Sequence, residues 1–375
     1  MSRLILFGAT GDLARRKLFP ALAEIGGVMP IVAVGRRPYT DADFFENHLP
    51  GDAALRQRVT YRHMDFTSAD GYRDLFDQDG GNIVYLSVDP QAVSGIIQQI
   101  GALKLARDPK ILQLVLEKPF GQDAQTASNL ERLVETYFTL SQITRIDHYL
   151  LKDGVELLRG IQNENPQLGG KEISSLKIRI LEREGIGTRG AFYSGTGAIR
   201  DILQNHLLNI AAVVINGQIT AEFFKNLNII EATFGQYEGY TNEPAVPTES
   251  NTETYVRVLF RLSGLSIACE TGKALNEQLA DISYKTKDGM VVNIEIQPKT
   301  GFLITGKGDT LNYRLPLPIP DAYVRLFERL FDNRLQNVSL DPEAIEAAWE
   351  IADRVATLKS EQNLIIYPVG SHGPA

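Results

Sequence analysis

The 375-residue sequence is poor in cysteine, tryptophan and long hydrophobic runs. Its single cysteine, Cys269, excludes an internal disulfide and gives no sign of an oxidising compartment. The first apolar run, Leu4 to Phe7, is far shorter than a signal segment or a membrane span. We therefore expect a cytoplasmic protein that does not associate with membranes.

An excess of positive charge is also lacking, since 38 Lys and Arg face 46 Asp and Glu for a net charge of -8. Phosphate backbones attract net basic surfaces, so we expect no nucleic-acid partner. Small anionic ligands are still possible where a few basic residues converge. Histidine is scarce, with five residues, and no set of His, Cys, Asp and Glu has the spacing of metal ligands. We predict no metal.

The composition, 43% hydrophobic and 22% charged, is that of a globular protein, and the length suits two domains. Short apolar strands alternate with helical patterns up to about residue 146, which is typical of an α/β domain with a doubly wound parallel sheet. Longer alternating runs without intervening helices follow and predict an α+β domain with a large, mainly antiparallel sheet. The predicted domains are residues 1–146 and 147–375.

The pattern predicts strands in the first domain and both strands and a late helix in the second. First-domain strands are predicted at 4–7, 31–34, 59–65, 82–87 and 111–116. Strands of the second domain are predicted at 175–181, 254–262 and 290–297. Residues 342–358 form the clearest helical pattern, with Trp349 on its apolar stripe.

Gly8 and Gly11 lie between the first predicted strand and a helix. Glycine lets the backbone turn sharply there and lets a pyrophosphate approach the helix N-terminus, while Thr10 adds a hydroxyl. The sequence thus predicts a Rossmann-type dinucleotide-binding domain. Arg36 and Arg37 end the second strand, and arginine at this position accommodates the 2′-phosphate of NADP. NADP is therefore favoured, with NAD left open because a solvated loop also tolerates two arginines.

Two of the five histidines, His148 and His206, lie in dense polar clusters. Oxidation of an alcohol by hydride transfer needs a base for the hydroxyl proton, and imidazole suits this role near neutral pH. A carboxylate would orient that base, and both Asp147 and Asp201 are candidates. Next to His148, two further side chains can donate hydrogen bonds to a phosphate: Tyr149 and Lys152.

Several motifs resemble the glucose-6-phosphate dehydrogenase family. They are Gly-Ala-Thr-Gly-Asp-Leu-Ala at 8–14, Glu-Lys-Pro-Phe-Gly at 117–121, Arg-Ile-Asp-His-Tyr-Leu at 145–150 and Arg-Asp-x-x-Gln-Asn-His at 200–206. Further matches follow at 252–254, 271–275, 320–323 and 370–374. The resemblance covers nearly the whole chain in the same order.

This resemblance implies an enzyme of the pentose phosphate pathway that oxidises glucose 6-phosphate to 6-phosphogluconolactone with hydride transfer to NADP. His206 resembles the general base of the family, and Asp147 resembles the carboxylate that orients it. A homodimer or homotetramer is implied as well.

The resemblance also implies contacts to the sugar phosphate and to the coenzyme. The implied substrate residues are Lys17, Lys118, His148, Tyr149, Lys152, Glu182, Asp201 and Lys273. The implied coenzyme residues are Gly8, Thr10, Gly11, Asp12, Leu13, Arg36, Arg37, Ser87 and Lys118.

Some positions depart from the family, and the chain is shorter than usual members. Leu151 replaces a glycine beside the phosphate residues, where a branched side chain would reshape the pocket, and Gln278 stands near a usual basic residue. These departures keep two alternatives open. One is a dehydrogenase for another phosphorylated or amino-modified hexose, and the other is a non-catalytic sensor of NADP or sugar phosphate. A sensor has no need of the base His206.

Overall fold

The computed structural model describes residues 2–49, 51–76, 80–103, 108–316, 319–332, 334 and 339–374. The chain divides into two compact units. The first contains Met1–Gly121, Gln125–Leu151 and Pro320–Leu340, and the second contains Gln122–Ala124, Lys152–Ile319 and Asp341–Ala375. The return of residues 320–340 to the first unit was not predicted from the sequence. The predicted domain boundary after residue 146 stays a prediction.

The first unit is built on a sheet of six parallel strands with apolar, buried side chains. The strands are β1 Arg3–Phe7, β2 Ile31–Gly35, β3 Val59–His63, β4 Asn82–Leu86, β5 Leu112–Glu117 and β6 Ile143–Ile146. Their order, β3-β2-β1-β4-β5-β6, reverses between β1 and β4, as in doubly wound dinucleotide-binding folds. The predicted Rossmann-type sheet is confirmed.

The second unit contains a nine-stranded sheet in the order β14-β13-β12-β11-β7-β10-β9-β8-β15. The strands are β7 Ile173–Leu181, β8 Asn228–Tyr237, β9 Tyr255–Leu262, β10 Leu265–Gly272, β11 Leu279–Thr286, β12 Val291–Gln297, β13 Gly301–Gly306, β14 Asp309–Arg314 and β15 Ile365–Tyr367. Among the described strands of this second sheet, only the pairs β7–β10 and β8–β15 are parallel. The predicted mainly antiparallel sheet is confirmed.

Helices cover parts of both sheets. The α-helices are α1 Phe19–Ile25, α2 Asp41–His48, α3 Ala53–Arg56, α4 Asp70–Arg73, α5 Pro90–Gly101, α6 Ala124–Tyr137, α7 Asp153–Glu164, α8 Gly190–Ala198, α9 Leu208–Asn216, α10 Ala221–Lys225, α11 Ala322–Phe331 and α12 Pro342–Ser360. Wider π-helical turns occur at Ala14–Leu18 and Ile199–Leu207. Tighter 3₁₀ turns occur at Leu140–Gln142, His148–Leu151, Pro166–Leu168, Gly170–Glu172, Gly187–Arg189 and Tyr240–Asn242.

The late helix α12 shows how sequence signals set an element. Asp341 caps it by accepting hydrogen bonds from two backbone N–H groups of the first turn, and Pro342 occupies its first position. The predicted apolar stripe, including Trp349 and Val355, is buried. No helix among the described residues combines the length and the apolar character needed to cross a bilayer.

Candidate active site

The predicted glycine turn lies where β1 ends, at the point where the strand order reverses. Gly8 has a positive φ of 80°, and a Cβ atom there would lie 1.8 Å from the carbonyl oxygen of Ser87. The backbone N–H of Gly11 donates to the carbonyl oxygen of Gly8 over 2.9 Å. Glycine at position 8 is therefore required by close backbone contact as well as by φ.

A cavity of about 510 Å³ opens beside this turn, within the first unit. Every predicted coenzyme residue except Lys118 lines it. Five further lining residues were not predicted from the sequence: Gly35, Phe66, Val88, Asp89 and Ala92. They lie at or beyond the carboxyl ends of β2, β3 and β4, where ligands of open parallel sheets bind, so topology would have pointed to them.

The two arginines at the end of β2 have different surroundings. The Arg36 guanidinium lies 5.8 Å from the centre of the Phe66 ring and 3.8 Å from the Asp89 carboxylate. Both charged side chains are largely exposed. Arg37 donates a 3.3 Å hydrogen bond to the Tyr39 hydroxyl. The exposed Arg36 charge is thus positioned at the cavity edge by contacts that an anionic ligand can replace.

Lys118 follows β5 and precedes Pro119 through a cis peptide bond. The preceding carboxylate, Glu117, accepts a hydrogen bond from the Tyr85 hydroxyl and another from Tyr323. Burial raises the pKa of Glu117 to about 7, although both hydrogen bonds act in the opposite direction. The strand end that carries Lys118 therefore contains a carboxyl group that titrates near neutral pH.

Asp147 lies directly before the 3₁₀ turn that follows β6, and His148 and Tyr149 are the first residues of that turn. Asp147 is 1% exposed, and its carboxylate accepts a 3.0 Å hydrogen bond from the backbone N–H of Tyr149. The His148 ring stacks on Tyr323, with ring centres 5.5 Å apart and an interplanar angle of 18°. Tyr323 thus contacts both His148 and Glu117, and its role was not apparent from the sequence.

Lys17 lies on the π-helical turn after the glycine loop. Its ammonium group lies 2.6 Å from the carboxylate of Asp321, which caps α11. The predicted lysine is thereby tied to the segment that returns late in the chain to the first unit.

In the second unit, the segment with His206 is a π-helix. Residues five apart lie one hydrogen-bonded turn from each other in this geometry, so Asp201 and His206 share a side of the helix. His206 is 1% exposed, and its backbone N–H donates to the Asn205 side-chain oxygen over 2.6 Å. π-Helical turns are frequent at functional sites, which agrees with the predicted roles of both residues.

Lys273 brings predicted substrate residues of the second unit together. Its buried ammonium pairs with Glu182 and lies 3.7 Å from Asp201. It also lies 5.3 Å from the centre of the Tyr193 ring, a favourable cation–π position. Glu182, Asp201 and Lys273 therefore form one polar cluster with fixed geometry.

The structure shows the surroundings of Leu151 and Gln278, the two residues that depart from the family pattern, and of the neighbouring Lys152. Leu151 is fully buried in the hydrophobic core of the first unit, so its branched side chain fills core space. Its expected effect on the phosphate pocket stays a prediction. Lys152 precedes α7, and its ammonium lies 2.5 Å from the Gln297 side-chain oxygen. The Gln278 side-chain oxygen accepts a hydrogen bond from the backbone N–H of Arg183 over 3.1 Å.

The strand order of the first unit and the cavity at its switch point are those of a dinucleotide-binding protein. Family models identify which one. The model described as "Glucose-6-phosphate dehydrogenase, NAD binding domain" matches residues 5–156, and "Glucose-6-phosphate dehydrogenase, C-terminal domain" matches residues 164–375. The chain belongs to the glucose-6-phosphate dehydrogenase family, whose coenzyme is a nicotinamide dinucleotide.

Individual relatives agree with the family models. The chain is 27% identical to glucose-6-phosphate 1-dehydrogenase of Streptococcus pneumoniae. The alignment is 460 residues long and covers 98% of this chain and 92% of the relative. The crystal structure of the enzyme from Mycobacterium avium has a TM-score of 0.87 at 27% identity, covering 100% and 95% of the two chains. A glucose-6-phosphate dehydrogenase solved with its substrate glucose-6-phosphate has a TM-score of 0.84 over 100% and 95% of the chains. At 22% identity this likeness shows the fold alone.

Proposed function

We propose that the protein oxidises glucose 6-phosphate at the anomeric carbon to 6-phosphogluconolactone, with transfer of the hydride to NADP. The observation that carries this proposal is the cluster of Lys273, Glu182 and Asp201, because Asp201 lies on the same π-helix as His206. A binding module has no need of a base, so a buried histidine on the helix that carries one of these carboxylates favours a catalytic site.

The proposed base is His206, and the proposed orienting carboxylate is Asp147. Neutral imidazole accepts the proton of the anomeric hydroxyl while the C1 hydride leaves, and the carboxylate stabilises the imidazolium that forms. The nicotinamide supplies the hydride acceptor when it is bound. Buried surroundings for both residues strengthen these electrostatic interactions.

The remaining predicted substrate residues divide by chemistry. We assign His148, Tyr149 and Lys152 to the sugar phosphate, because all three donate hydrogen bonds. The cluster of Glu182, Asp201 and Lys273 offers both donors and acceptors, as neighbouring sugar hydroxyls require. Two lysines of the first unit complete the set: Lys17 is assigned to the sugar, and Lys118 is assigned to both substrate and coenzyme.

We propose NADP rather than NAD because Arg36 lines the coenzyme cavity and its charge is exposed. The nearby Asp89 opposes a 2′-phosphate, which leaves some use of NAD open. The cytoplasmic location and the homodimer or homotetramer implied by the family resemblance remain part of the same proposal.

The test is an assay panel that follows reduced-nicotinamide absorbance. Wild-type protein is mixed with glucose 6-phosphate, its epimers, an amino analogue or unphosphorylated glucose, each with NADP and with NAD. The variant His206→Asn should lose turnover by several orders of magnitude and keep sugar-phosphate binding. His372→Asn, a change at an exposed histidine of the second unit, should retain wild-type turnover.

The panel also decides between the remaining alternatives. Turnover restricted to another phosphorylated or amino-modified hexose would replace the proposed substrate. Coenzyme binding without turnover on any sugar would identify a sensor. Unchanged turnover of His206→Asn would contradict the assignment of the base.

A further inference from the structure

The peptide segment 252–254 contacts the start of the helix that carries His206. The carbonyl oxygen of Glu253 accepts a hydrogen bond from the backbone N–H of Ala198 over 3.0 Å. The Glu253 carboxylate accepts another from the backbone N–H of Ile199, also over 3.0 Å. Glu253 therefore satisfies two N–H groups at the start of the π-helix, which otherwise lack acceptors within the helix.

The same carboxylate fills the space at a helix kink. Gly197 is the second-last residue of α8, just before the π-helix, and its angles of φ 65° and ψ 176° are not helical. A Cβ atom on Gly197 would lie 2.3 Å from a carboxylate oxygen of Glu253. The glycine and the carboxylate thus set together where one helix ends and the next begins.

Segment 252–254 also holds the buried lysine of the polar cluster. The backbone N–H of Lys273 donates to the carbonyl oxygen of Thr254 over 3.0 Å. The Tyr367 hydroxyl bridges the two residues, since it lies 2.8 Å from the Thr254 hydroxyl and donates to the Lys273 carbonyl oxygen over 2.7 Å. One short segment therefore contacts two of the three backbone elements that carry the cluster, the start of the π-helix with Asp201 and the strand end with Lys273.

A buried carboxylate needs a charged partner, and Lys359 provides it. Glu253 is 5% exposed, and the Lys359 ammonium lies 3.4 Å from its carboxylate. Lys359 is in the last turn of α12, which packs against the π-helix. Burial raises the pKa of Glu253, while Lys359 and the hydrogen bond from Ile199 act in the opposite direction.

We propose that Glu253 is a positioning residue whose carboxylate, paired with Lys359, fixes the start of the π-helix and thereby the placement of Asp201 and His206. The inference rests on the proposed function for the roles of those two residues. A carboxylate at this end of a helix also interacts favourably with the helix dipole. Small displacements of a base from its reacting atom reduce turnover strongly.

The experiment compares Glu253→Gln and Lys359→Met with wild type and with Asp288→Asn. Asp288 lies in the turn between β11 and β12 of the same unit and forms an exposed ion pair with Lys307. Asp288→Asn removes the negative charge of this pair. We expect Glu253→Gln to lower kcat by roughly 10- to 100-fold. The KM for coenzyme should stay within about twofold, because the cavity lies in the other unit.

Hydrogen exchange gives a second measurement that does not depend on turnover. Amide protection should fall locally in residues 199–207 of both Glu253→Gln and Lys359→Met and stay unchanged in Asp288→Asn. Because the two partners act as a pair, the double variant should lose little more kcat than Glu253→Gln alone.

Two results would overturn the proposal. One is wild-type kcat and wild-type exchange of residues 199–207 in Glu253→Gln. The other is a uniform loss of protection with unchanged kcat per folded molecule, which would assign Glu253 to general stability. Failure of wild-type protein to oxidise glucose 6-phosphate would instead reject the proposed function. The exchange measurement would still decide whether Glu253 anchors the helix.

Discussion

Lys17 and Asp321 form an ion pair with 2.6 Å between ammonium and carboxylate, although 304 residues separate them in the chain. Asp321 has a second contact, since its carboxylate accepts a 3.1 Å hydrogen bond from the backbone N–H of Tyr323 at the start of α11. Both charged side chains are partly exposed, so the pair contributes at most about 1 kcal/mol to stability. Its main consequence is to orient Lys17.

Asp321→Asn separates the two contacts, because asparagine still caps a helix but carries no charge. We expect the KM for glucose 6-phosphate to change by about three- to tenfold as Lys17 loses its fixed orientation, with kcat and thermal stability near wild type. Asp321→Ala should show the same kinetic change and lose about 1 kcal/mol of stability with the cap. Unchanged kinetics in both variants would show that Lys17 does not depend on Asp321.

Arg36 provides a test of coenzyme choice. Removing a charge-assisted contact to a 2′-phosphate costs about 1.5–3 kcal/mol, so Arg36→Ala should raise the KM for NADP by roughly 10- to 100-fold and leave that for NAD nearly unchanged. Asp89→Asn is the matched opposite change, because Asp89 lies 3.8 Å from Arg36 and repels an added phosphate. It should lower the KM for NADP. Equal effects on both coenzymes would place the 2′-phosphate elsewhere.

The sequence predicted those parts of the fold that depend on local patterns. The apolar run of β1 and the glycine turn after it are readable because neighbouring residues alone determine them. The stripe of α12 has the same origin. Eight of the nine predicted coenzyme residues line one cavity because they follow β1, β2 and β4, whose carboxyl ends meet at one edge of the parallel sheet.

Other features depend on residues far apart in the chain and were not predictable. The sequence around His206 does not distinguish α from π geometry in residues 199–207. That geometry starts at a kink held by Glu253, more than fifty residues away. The core position of Leu151 was not predictable either, because the direction of its side chain depends on tertiary packing.

We expect loss of the buried ion pair between Arg145 and Glu131 to reduce the stability of the fold strongly. The Arg145 guanidinium makes two hydrogen bonds of 2.8 and 2.5 Å to the Glu131 carboxylate, and both side chains are buried. Glu131→Gln leaves the guanidinium charge buried without its counter-charge and should reduce the free energy of unfolding by about 3–5 kcal/mol. Urea denaturation measures this, with Asp288→Asn as an exposed control that should change it by less than about 0.5 kcal/mol. Equal stability of the two variants would contradict the prediction.

We expect the ionisation of Glu117 to make the free energy of unfolding depend on pH. Burial raises the pKa of Glu117 from 4.5 to about 7, so the folded chain holds this proton more tightly than the unfolded chain. The resulting stabilisation is complete below about pH 4.5 and disappears as the pH rises through 7. Glu117→Gln stays neutral throughout and retains a side chain that hydrogen-bonds to Tyr85 and Tyr323. The free energy of unfolding of wild type should therefore decrease relative to Glu117→Gln across this window, by at most about 1.4 kcal/mol per pH unit. Urea denaturation of both proteins between about pH 5 and 8 measures the difference. Parallel stability curves of the two proteins would show that the pKa of Glu117 is not raised and would contradict the prediction.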